Sequence, residues 1–281
     1  MKLVDFDGLF DKKLAKYIKE NAGKFSEKQW ENQIPRLYQK FGDTYLNGVG
    51  ATPREYYKRM TDAEICFCLK RHILEGVPVS DFLCGELAGR NCPKELVALL
   101  YEDNEELVTL AVNLAGANAA AFDAYFDIIK GDYDREIKDA ATDCLKANAD
   151  AAKARALELL REGTEEELML EILSRTKERD DAVYDTLLRA FRERDDLCMN
   201  ASYLAAYGDE RALPVLLERI DGEDINYLEF RELKYAIEAL GGEYTRERDF
   251  SEDEYYRELL AQSELPPDYD VVSGRKTKKK N

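Results

Sequence analysis

Apolar residues recur at helical spacing along most of the chain. In the segment that ends at Phe41, the apolar residues Trp30, Ile34 and Leu37 precede it at intervals of three or four positions. This spacing places them on one face of an α-helix. Alternating runs of β-branched residues, and hairpin turns between such runs, are nearly absent. The pattern predicts an all-α protein.

Two helix starts carry the signature of a capping box. Thr52 is followed by Pro53 and, three positions after the threonine, by Glu55; Thr61 has Glu64 at the same distance. A threonine side chain in this position accepts from the third helical N–H, while the glutamate reaches back to the N–H of the threonine. We expect a helix to begin directly after each threonine.

From about residue 93 the helical segments become periodic. Helix starts are predicted near Pro93, Asn118, Asp150, Asp180 and Asp209, and each of these helices is followed by a second one after a short turn. The starts are separated by about 25 to 32 residues, an interval that indicates an array of structural repeats.

The second helices of four repeats align without gaps, and the first, fourth, fifth and eighth places of the alignment are mostly apolar or small. The aligned segments are 107–115, 137–145, 197–205 and 233–241. These four places form one face of a helix. Small residues on that face allow a neighbouring helix to approach closely, and they are Ala111, Ala140, Ala141, Ala201 and Ala236. The register predicts that the following side chains are buried: Ile137, Ala141, Cys144, Leu204, Leu213, Leu217, Ile237 and Leu240.

These segments resemble HEAT repeats. Residues 207–220, Tyr-Gly-Asp-Glu-Arg-Ala-Leu-Pro-Val-Leu-Leu-Glu-Arg-Ile, look like the inter-repeat turn and first helix of a short bacterial-type repeat, and 230–241 resembles its second helix. The similarity covers 93–148 and 195–242, whereas 149–194 fits by length and periodicity only. The resemblance implies a right-handed α-α superhelix, a HEAT-like solenoid of antiparallel helix pairs.

The sequence departs from the HEAT pattern in one respect. HEAT families often carry an arginine early in the second helix, where this chain has Lys138 and Lys234 but also Val108 and Cys198.

Because a repeat array needs atypical units at its ends, we predict that the chain has three parts. These are a helical N-terminal cap at 1–50, the repeat array at 51–262, and a flexible tail at 263–281.

Charge limits the classes of partner. The chain has a net charge of −17, although its last eleven residues hold five basic residues and no acid. An acidic body repels a polyphosphate backbone, which argues against nucleic acid as the partner and leaves contact through the basic tail as an alternative. No apolar run reaches the roughly 18 to 20 residues of a membrane span. With no signal peptide pattern and no disulfide framework, the sequence predicts a cytoplasmic protein.

Four of the six cysteines lie close together in the sequence around the only histidine. Cys68 and His72 are four positions apart and would share a helix face, which is one half of a possible zinc site. No CxxC pair accompanies them, and Cys66 would point to the opposite side of the helix from Cys68. Since free cysteine is among the most buried residue types, we favour core packing and predict neither metal nor cofactor.

No catalytic constellation is recognisable either. His72 lacks an accompanying nucleophile motif, and Gly48-Val49-Gly50 lacks the third glycine of a dinucleotide-binding turn. The paired acids at 165–167, 195–196 and 252–254 fall where helices are predicted to begin, and acids there complement the helix dipole. A structural use of these acids is therefore favoured over catalysis.

The remaining hypothesis is a binding surface on the second helices, which line the concave face of HEAT-type solenoids. Seven residues fall outside the core places of those helices and are predicted to contact a partner: Lys138, Asp139, Asp143, Tyr203, Lys234, Tyr235 and Glu238. We therefore predict a non-catalytic scaffold whose acidic face binds a basic protein or peptide. For the tyrosines, packing between repeats is an equal alternative. For the whole chain, the alternative is an enzyme or enzyme-associated HEAT protein of base-excision-like or chromophore-lyase-like type.

Overall fold

The chain, in a computed structural model, is built of helices apart from two very short strands, within the residues that the structure describes, which are 2–193, 195–263, 269–270 and 275–276. It divides into two compact units, Met1–Ala152 (unit 1) and Lys153–Asn281 (unit 2). Most of the predicted tail at 263–281 lies outside the described residues, and so does most of its basic cluster.

Unit 1 consists of helices joined by short turns. Its α-helices are α1 (Phe6–Glu20), α2 (Glu27–Gly42), α3 (Pro53–Lys58), α4 (Asp62–Leu74), α5 (Asp81–Ala88), α6 (Lys94–Ala98), α7 (Glu105–Ala115), α8 (Phe122–Lys130) and α9 (Arg135–Ala147). Short 3-10 turns at Leu99–Tyr101 and Ala119–Ala121 follow α6 and precede α8. The boundary between the two units falls within the next helix, α10 (Ala149–Arg161).

Unit 2 continues in the same way. Its further helices are α11 (Glu166–Leu173), α12 (Asp181–Glu193), α13 (Leu197–Tyr207), α14 (Leu213–Ile220), α15 (Tyr227–Ala239) and α16 (Glu254–Ser263), with a 3-10 turn at Glu210–Ala212 before α14. Two strands of two residues each, β1 (Tyr269–Asp270) and β2 (Arg275–Lys276), pair antiparallel with Tyr269 opposite Lys276.

The predicted helix starts are confirmed. Both capping boxes are present, with Thr52 and Thr61 accepting from the backbone N–H of Glu55 and Glu64 respectively. Pro93 precedes α6, and Asn118 and Asp209 each cap a 3-10 turn that leads into a helix. The remaining two predicted starts fall within one residue of the starts of α10 and α12. Local capping chemistry therefore sets where these helices begin.

Alternate helices lie next to one another within each unit. In unit 1, α5 contacts α3 and α7, and α7 also contacts α9; on the other side, α4 contacts α6, and the 3-10 turn after α6 contacts α8. In unit 2, α13 contacts α11 and α15, while α12 packs on α13 and α14 on α15. Each unit therefore contains one layer of second helices that is covered by first helices.

The aligned register of the second helices is confirmed by burial. The first and fifth places are buried in all four segments: Leu107, Ala111, Ile137, Ala141, Leu197, Ala201, Leu233 and Ile237. The fourth and eighth places are buried in α13 and α15 and half-buried in α7 and α9. A stripe of this kind is the face that each second helix turns towards the core.

Five of the eight side chains predicted to be buried are buried, and the other three are half-buried. The half-buried ones are Cys144, Leu213 and Leu217. The fully buried positions here are Ala212, at the end of the 3-10 turn, and Leu216 and Ile220 of α14. Ala212 and Leu216 each lie one residue before a predicted position. Because a helix turns about 100° per residue, Leu213 and Leu217 flank the buried stripe instead of occupying its centre.

The predicted N-terminal cap packs on the helices that follow it through aromatic side chains. Phe6 is fully buried, and its ring lies edge-on to Tyr57 of α3 at 5.5 Å between centroids. Tyr38 of α2 stacks on Phe82 of α5 at 4.7 Å, and its hydroxyl donates to the carboxylate of Asp7 at 2.6 Å. These contacts cover one end of the helix layers in unit 1.

In unit 2, two arginines connect segments that lie between successive helices. Arg211 donates to the carboxylate of Asp209 at 2.7 Å and to that of Asp181 at 2.8 Å, and its guanidinium lies 4.1 Å from the centroid of the Tyr184 ring. Arg179 lies over the Tyr207 ring and donates to the carbonyl of Tyr207. The turn that precedes α14 is thereby tied to the start of α12.

We predict that Asp209→Asn destabilises the protein by about 1 to 2 kcal/mol at pH 7, because asparagine keeps the helix-capping acceptor but loses the charge-assisted bonds to Arg211. Hydrogen bonding to Arg211 lowers the pKa of Asp209 below its ordinary value. A lowered pKa gives stability that is present above the unfolded-state pKa and is lost as pH falls through the folded-state pKa. Urea unfolding should thus show a difference in unfolding free energy between wild type and variant that is constant between pH 5 and 7 and shrinks below about pH 4.

The control is Asp185→Asn, at an exposed carboxylate on α12, which should change stability by less than about 0.5 kcal/mol. An equal loss of stability in both variants would contradict the role of Arg211.

Candidate functional site

The predicted binding residues of unit 2 lie on α13 and α15, which contact each other. Tyr235 is 54% exposed and Glu238 is also exposed, whereas Lys234 is half-buried. On α13, the side chain of Met199 is 42% exposed. The structure therefore presents an aromatic ring, a thioether and a carboxylate on neighbouring second helices.

Tyr203 differs from the prediction, because only 6% of it is exposed. Its hydroxyl lies 3.5 Å from the carbonyl oxygen of Glu167, beside α11. Since α13 packs against α11 as well as α15, its buried stripe is wider than the four aligned places. For Tyr203, packing between repeats is the reading that the structure supports.

A pocket of about 580 Å³ lies at the starts of α11 and α13. Five carboxylate side chains line it, and they are Glu166, Glu167, Glu193, Asp195 and Asp196. Leu170, Met199, Asn200 and Tyr203 supply the remainder of the wall. The pocket is thus an acidic cavity with an apolar side.

Helix chemistry explains why these acids come together. Glu166 and Glu167 occupy the first turn of α11, and the carboxylate of Asp196 caps α13 by accepting from the N–H of Met199 at 2.9 Å. Acids are favourable at helix N-termini, and α11 and α13 are adjacent second helices. The sequence pattern identified the structural use of these acids, but the pocket that they form depends on the packing of the two helices.

The acidic surface continues from the pocket onto α15. Burial raises the pKa of the Cys198 thiol, and the neighbouring carboxylates of Glu229, Asp196 and Glu232 raise it further. Next to them, the guanidinium of Arg231 lies 5.9 Å from the centroid of the Tyr235 ring. We call the pocket residues, together with Glu229, Glu232, Tyr235 and Glu238, the acidic strip of unit 2.

The three predicted binding residues of unit 1 all lie on α9. Asp139 and Asp143 are exposed, and Lys138 is half-buried. Asp139 is paired with Arg135 at 2.8 Å and Asp143 with Lys146 at 2.6 Å, one helical turn away in each case. Their charges are thus partly balanced within the helix.

His72 serves the structure in a way that the sequence did not reveal. It is buried at the end of α4, and its Nδ1 lies 2.8 Å from the carbonyl oxygen of Pro78 and 3.2 Å from that of Val77. Carbonyl oxygens only accept, so Nδ1 carries the proton and donates. His72 therefore holds the turn between α4 and α5.

The cysteines near His72 are poor candidates for chemistry. Cys66 and Cys68 are buried, and burial raises the pKa of Cys66 to about 12 and that of Cys68 to about 11. A thiol with such a pKa stays protonated near neutral pH and is neither a good metal ligand nor a good nucleophile. Within the described part of the chain, no group of three or more His, Cys, Asp or Glu side chains is arranged to hold a metal ion.

We predict that protein purified without chelator contains much less than one zinc ion per chain, measured by plasma emission spectroscopy. Cys68→Ala and His72→Ala should leave this content unchanged, since neither residue is expected to bind metal. Stoichiometric zinc that either substitution removes would contradict the assignment of these residues to the core.

Comparison of the chain with protein-family models, with curated proteins and with solved structures found no match. None of the helices in the described residues combines the length and the apolar character needed to cross a membrane.

Proposed function

We propose that this protein is a non-catalytic scaffold of HEAT-like repeats that binds a basic protein or peptide segment on the acidic strip of unit 2. The observation that carries the proposal is the pocket at the starts of α11 and α13, with five carboxylates around an apolar wall. A lysine or arginine side chain combines an aliphatic stem with a cationic end, and both parts match this pocket.

The contacts between alternate helices support a HEAT-like solenoid within each unit. In such an array each repeat contacts mainly its neighbours, and second helices stack on second helices. The pairs α5–α7, α7–α9, α11–α13 and α13–α15 follow this rule. The residues on the aligned buried places are small or aliphatic in nearly every case, which suits close stacking of one second helix on the next.

Exposed apolar groups beside the carboxylates favour a binding role over a merely solvated acidic face. Met199 and Tyr235 leave large parts of their side chains in water, although both neighbour charged groups. Interfaces draw affinity from aromatic residues and methionine, whereas exposed charges mainly set the association rate and its salt dependence. The strip supplies both kinds of contact.

We predict that a Lys/Arg-rich peptide binds the full chain, and that a peptide of equal length with glutamine in place of each basic residue does not. Fluorescence anisotropy of the labelled peptides, at low and at physiological salt, measures the affinity of each peptide. The affinity of the basic peptide should fall as the salt concentration rises. Glu193→Gln with Asp195→Asn should weaken it about three- to tenfold, because each exposed charge contributes modestly.

The matched control removes the same charge from first helices. Asp185 on α12 and Glu218 on α14 are exposed, so Asp185→Asn with Glu218→Gln should change the affinity less than twofold. Equal weakening by the two double variants would show that only net charge matters, and the acidic strip would then not be the binding surface.

We predict a larger effect for the exposed ring: Tyr235→Ala should weaken binding of the basic peptide by more than about 1 kcal/mol, since aromatic residues dominate interface energies. Isothermal titration calorimetry gives the affinity, and the unfolding temperature shows whether the variant is intact. Tyr203→Phe, which keeps the buried ring, should bind as the wild type does. Unchanged binding by Tyr235→Ala would move the contact surface away from α15.

A further inference from the structure

Unit 1 contains a second large pocket, about 770 Å³ in volume, between the start of α1 and the turn that precedes α3. We call it the N-terminal pocket. It belongs to a different unit from the acidic strip, and its chemistry is the opposite. The amine-bearing side chains of Lys2, Lys12 and Lys13 line it, together with one carboxylate, that of Asp5.

The carboxylate of Asp5 bonds the backbone. It accepts from the N–H of Gly8 at 2.7 Å and thereby caps α1. Among the described residues, none forms an ion pair with Lys2, Lys12 or Lys13; Lys13 instead lies 5.1 Å from the centroid of the Phe41 ring. A protein of net charge −17 thus has three lysines in the lining of one cavity.

The sequence around this pocket has the same bias. Residues 1–50 hold nine basic and seven acidic side chains, although acids clearly outnumber bases in the chain as a whole. An anion is therefore repelled by most of the protein surface and attracted to this region.

The walls between the lysines are aliphatic. Leu3, Val4, Leu9, Leu46 and Val49 contribute to them, and the ring of Tyr45 is 60% exposed at the same place. A cavity of several hundred Å³ with mainly apolar walls and a few polar groups is typical of sites for small molecules. The polar groups here are cations.

The backbone around the pocket is ordered by hydrogen bonds. The N–H groups of Val49 and Gly50 both donate to the carbonyl of Leu46, at 2.9 Å and 2.8 Å, and the hydroxyl of Tyr56 donates to the carbonyl of Lys2 at 2.5 Å. Gly50 adopts φ = 77°, a conformation that favours glycine and closes the turn. These contacts fix the backbone on one side of the pocket.

We propose that the N-terminal pocket binds an anionic amphiphile, a small molecule with an apolar or aromatic body and one carboxylate, phosphate or sulfonate group. The apolar body lies against the aliphatic walls, and the anionic group lies among Lys2, Lys12 and Lys13. The site is independent of the proposed peptide-binding role, since none of its residues belongs to the acidic strip.

The test uses two fluorescent probes that differ mainly in charge: 8-anilinonaphthalene-1-sulfonate and its uncharged counterpart N-phenyl-1-naphthylamine. Full-length protein should bind the sulfonate more tightly than the uncharged probe. Lys12→Gln with Lys13→Gln should weaken binding of the sulfonate about five- to tenfold, as expected for the loss of charge-assisted contacts. The affinity for the neutral probe should stay within twofold of the wild type. Lys16→Gln with Lys19→Gln removes the same charge from α1 at residues that do not line the pocket and should change neither affinity by more than twofold.

A steric variant locates the site. A side chain at Gly48, which lines the pocket, meets no atom within 4 Å at its Cβ, so Gly48→Trp has room in the fold and adds a large ring at the pocket. It should abolish binding of both probes while the unfolding temperature stays unchanged. Unchanged binding by Gly48→Trp, equal effects of the two lysine pairs, or no binding by the wild type would each overturn the proposal.

A further pair of measurements distinguishes two sources of an anionic amphiphile. Co-sedimentation with phosphatidylcholine vesicles, with and without phosphatidylglycerol, tests for a lipid in a membrane, and competition by dodecanoate tests for a free acid. Displacement of the sulfonate probe by dodecanoate without vesicle binding identifies a soluble ligand. Vesicle binding that requires phosphatidylglycerol and is lost in Gly48→Trp identifies a lipid headgroup with its chains.

Discussion

The fold depends on how each second helix is packed, with a second helix on one or both sides and a first helix behind it. Such a helix must bury more than one face, so its buried places need aliphatic or small side chains. In α13, Leu197 and Ala201 lie at the centre of the buried stripe, and Tyr203 fills the space towards α11. The same requirement makes α7, α9 and α15 similar in sequence, and it places the starts of α11 and α13 side by side.

Polar contacts at the turns complete this packing in unit 2. The planar guanidinium of Arg211 stacks on Tyr184 and at the same time bonds the carboxylates of Asp209 and Asp181. Arg179 repeats the combination of stacking and carbonyl bonds at Tyr207. Lysine offers a point charge without a flat face, so it would not replace arginine in either position. The turns are thereby fixed by contacts of both arginines.

The net charge of the chain conceals two surfaces of opposite sign. In unit 2, acids that favour helix starts converge on one pocket beside Met199, and in unit 1 three lysines surround an aliphatic cavity. Over the whole chain, acidic residues outnumber basic ones, so the net charge shows only the acidic surface. The two pockets therefore differ in the charge of the side chains that line them, and neither is evident from composition alone.

The sequence by itself determined where most helices begin and which places of the second helices are buried, because capping and helical spacing are local properties. Thr52, Thr61 and Asn118 cap where their neighbours predict, and the first and fifth aligned places are buried throughout. Only the tertiary structure decided the rest. Tyr203 is buried because α11 lies beside α13, Leu213 flanks its stripe because of how α14 is rotated, and both pockets join segments that are distant in sequence. Such outcomes depend on contacts between helices, which periodicity within one helix cannot specify.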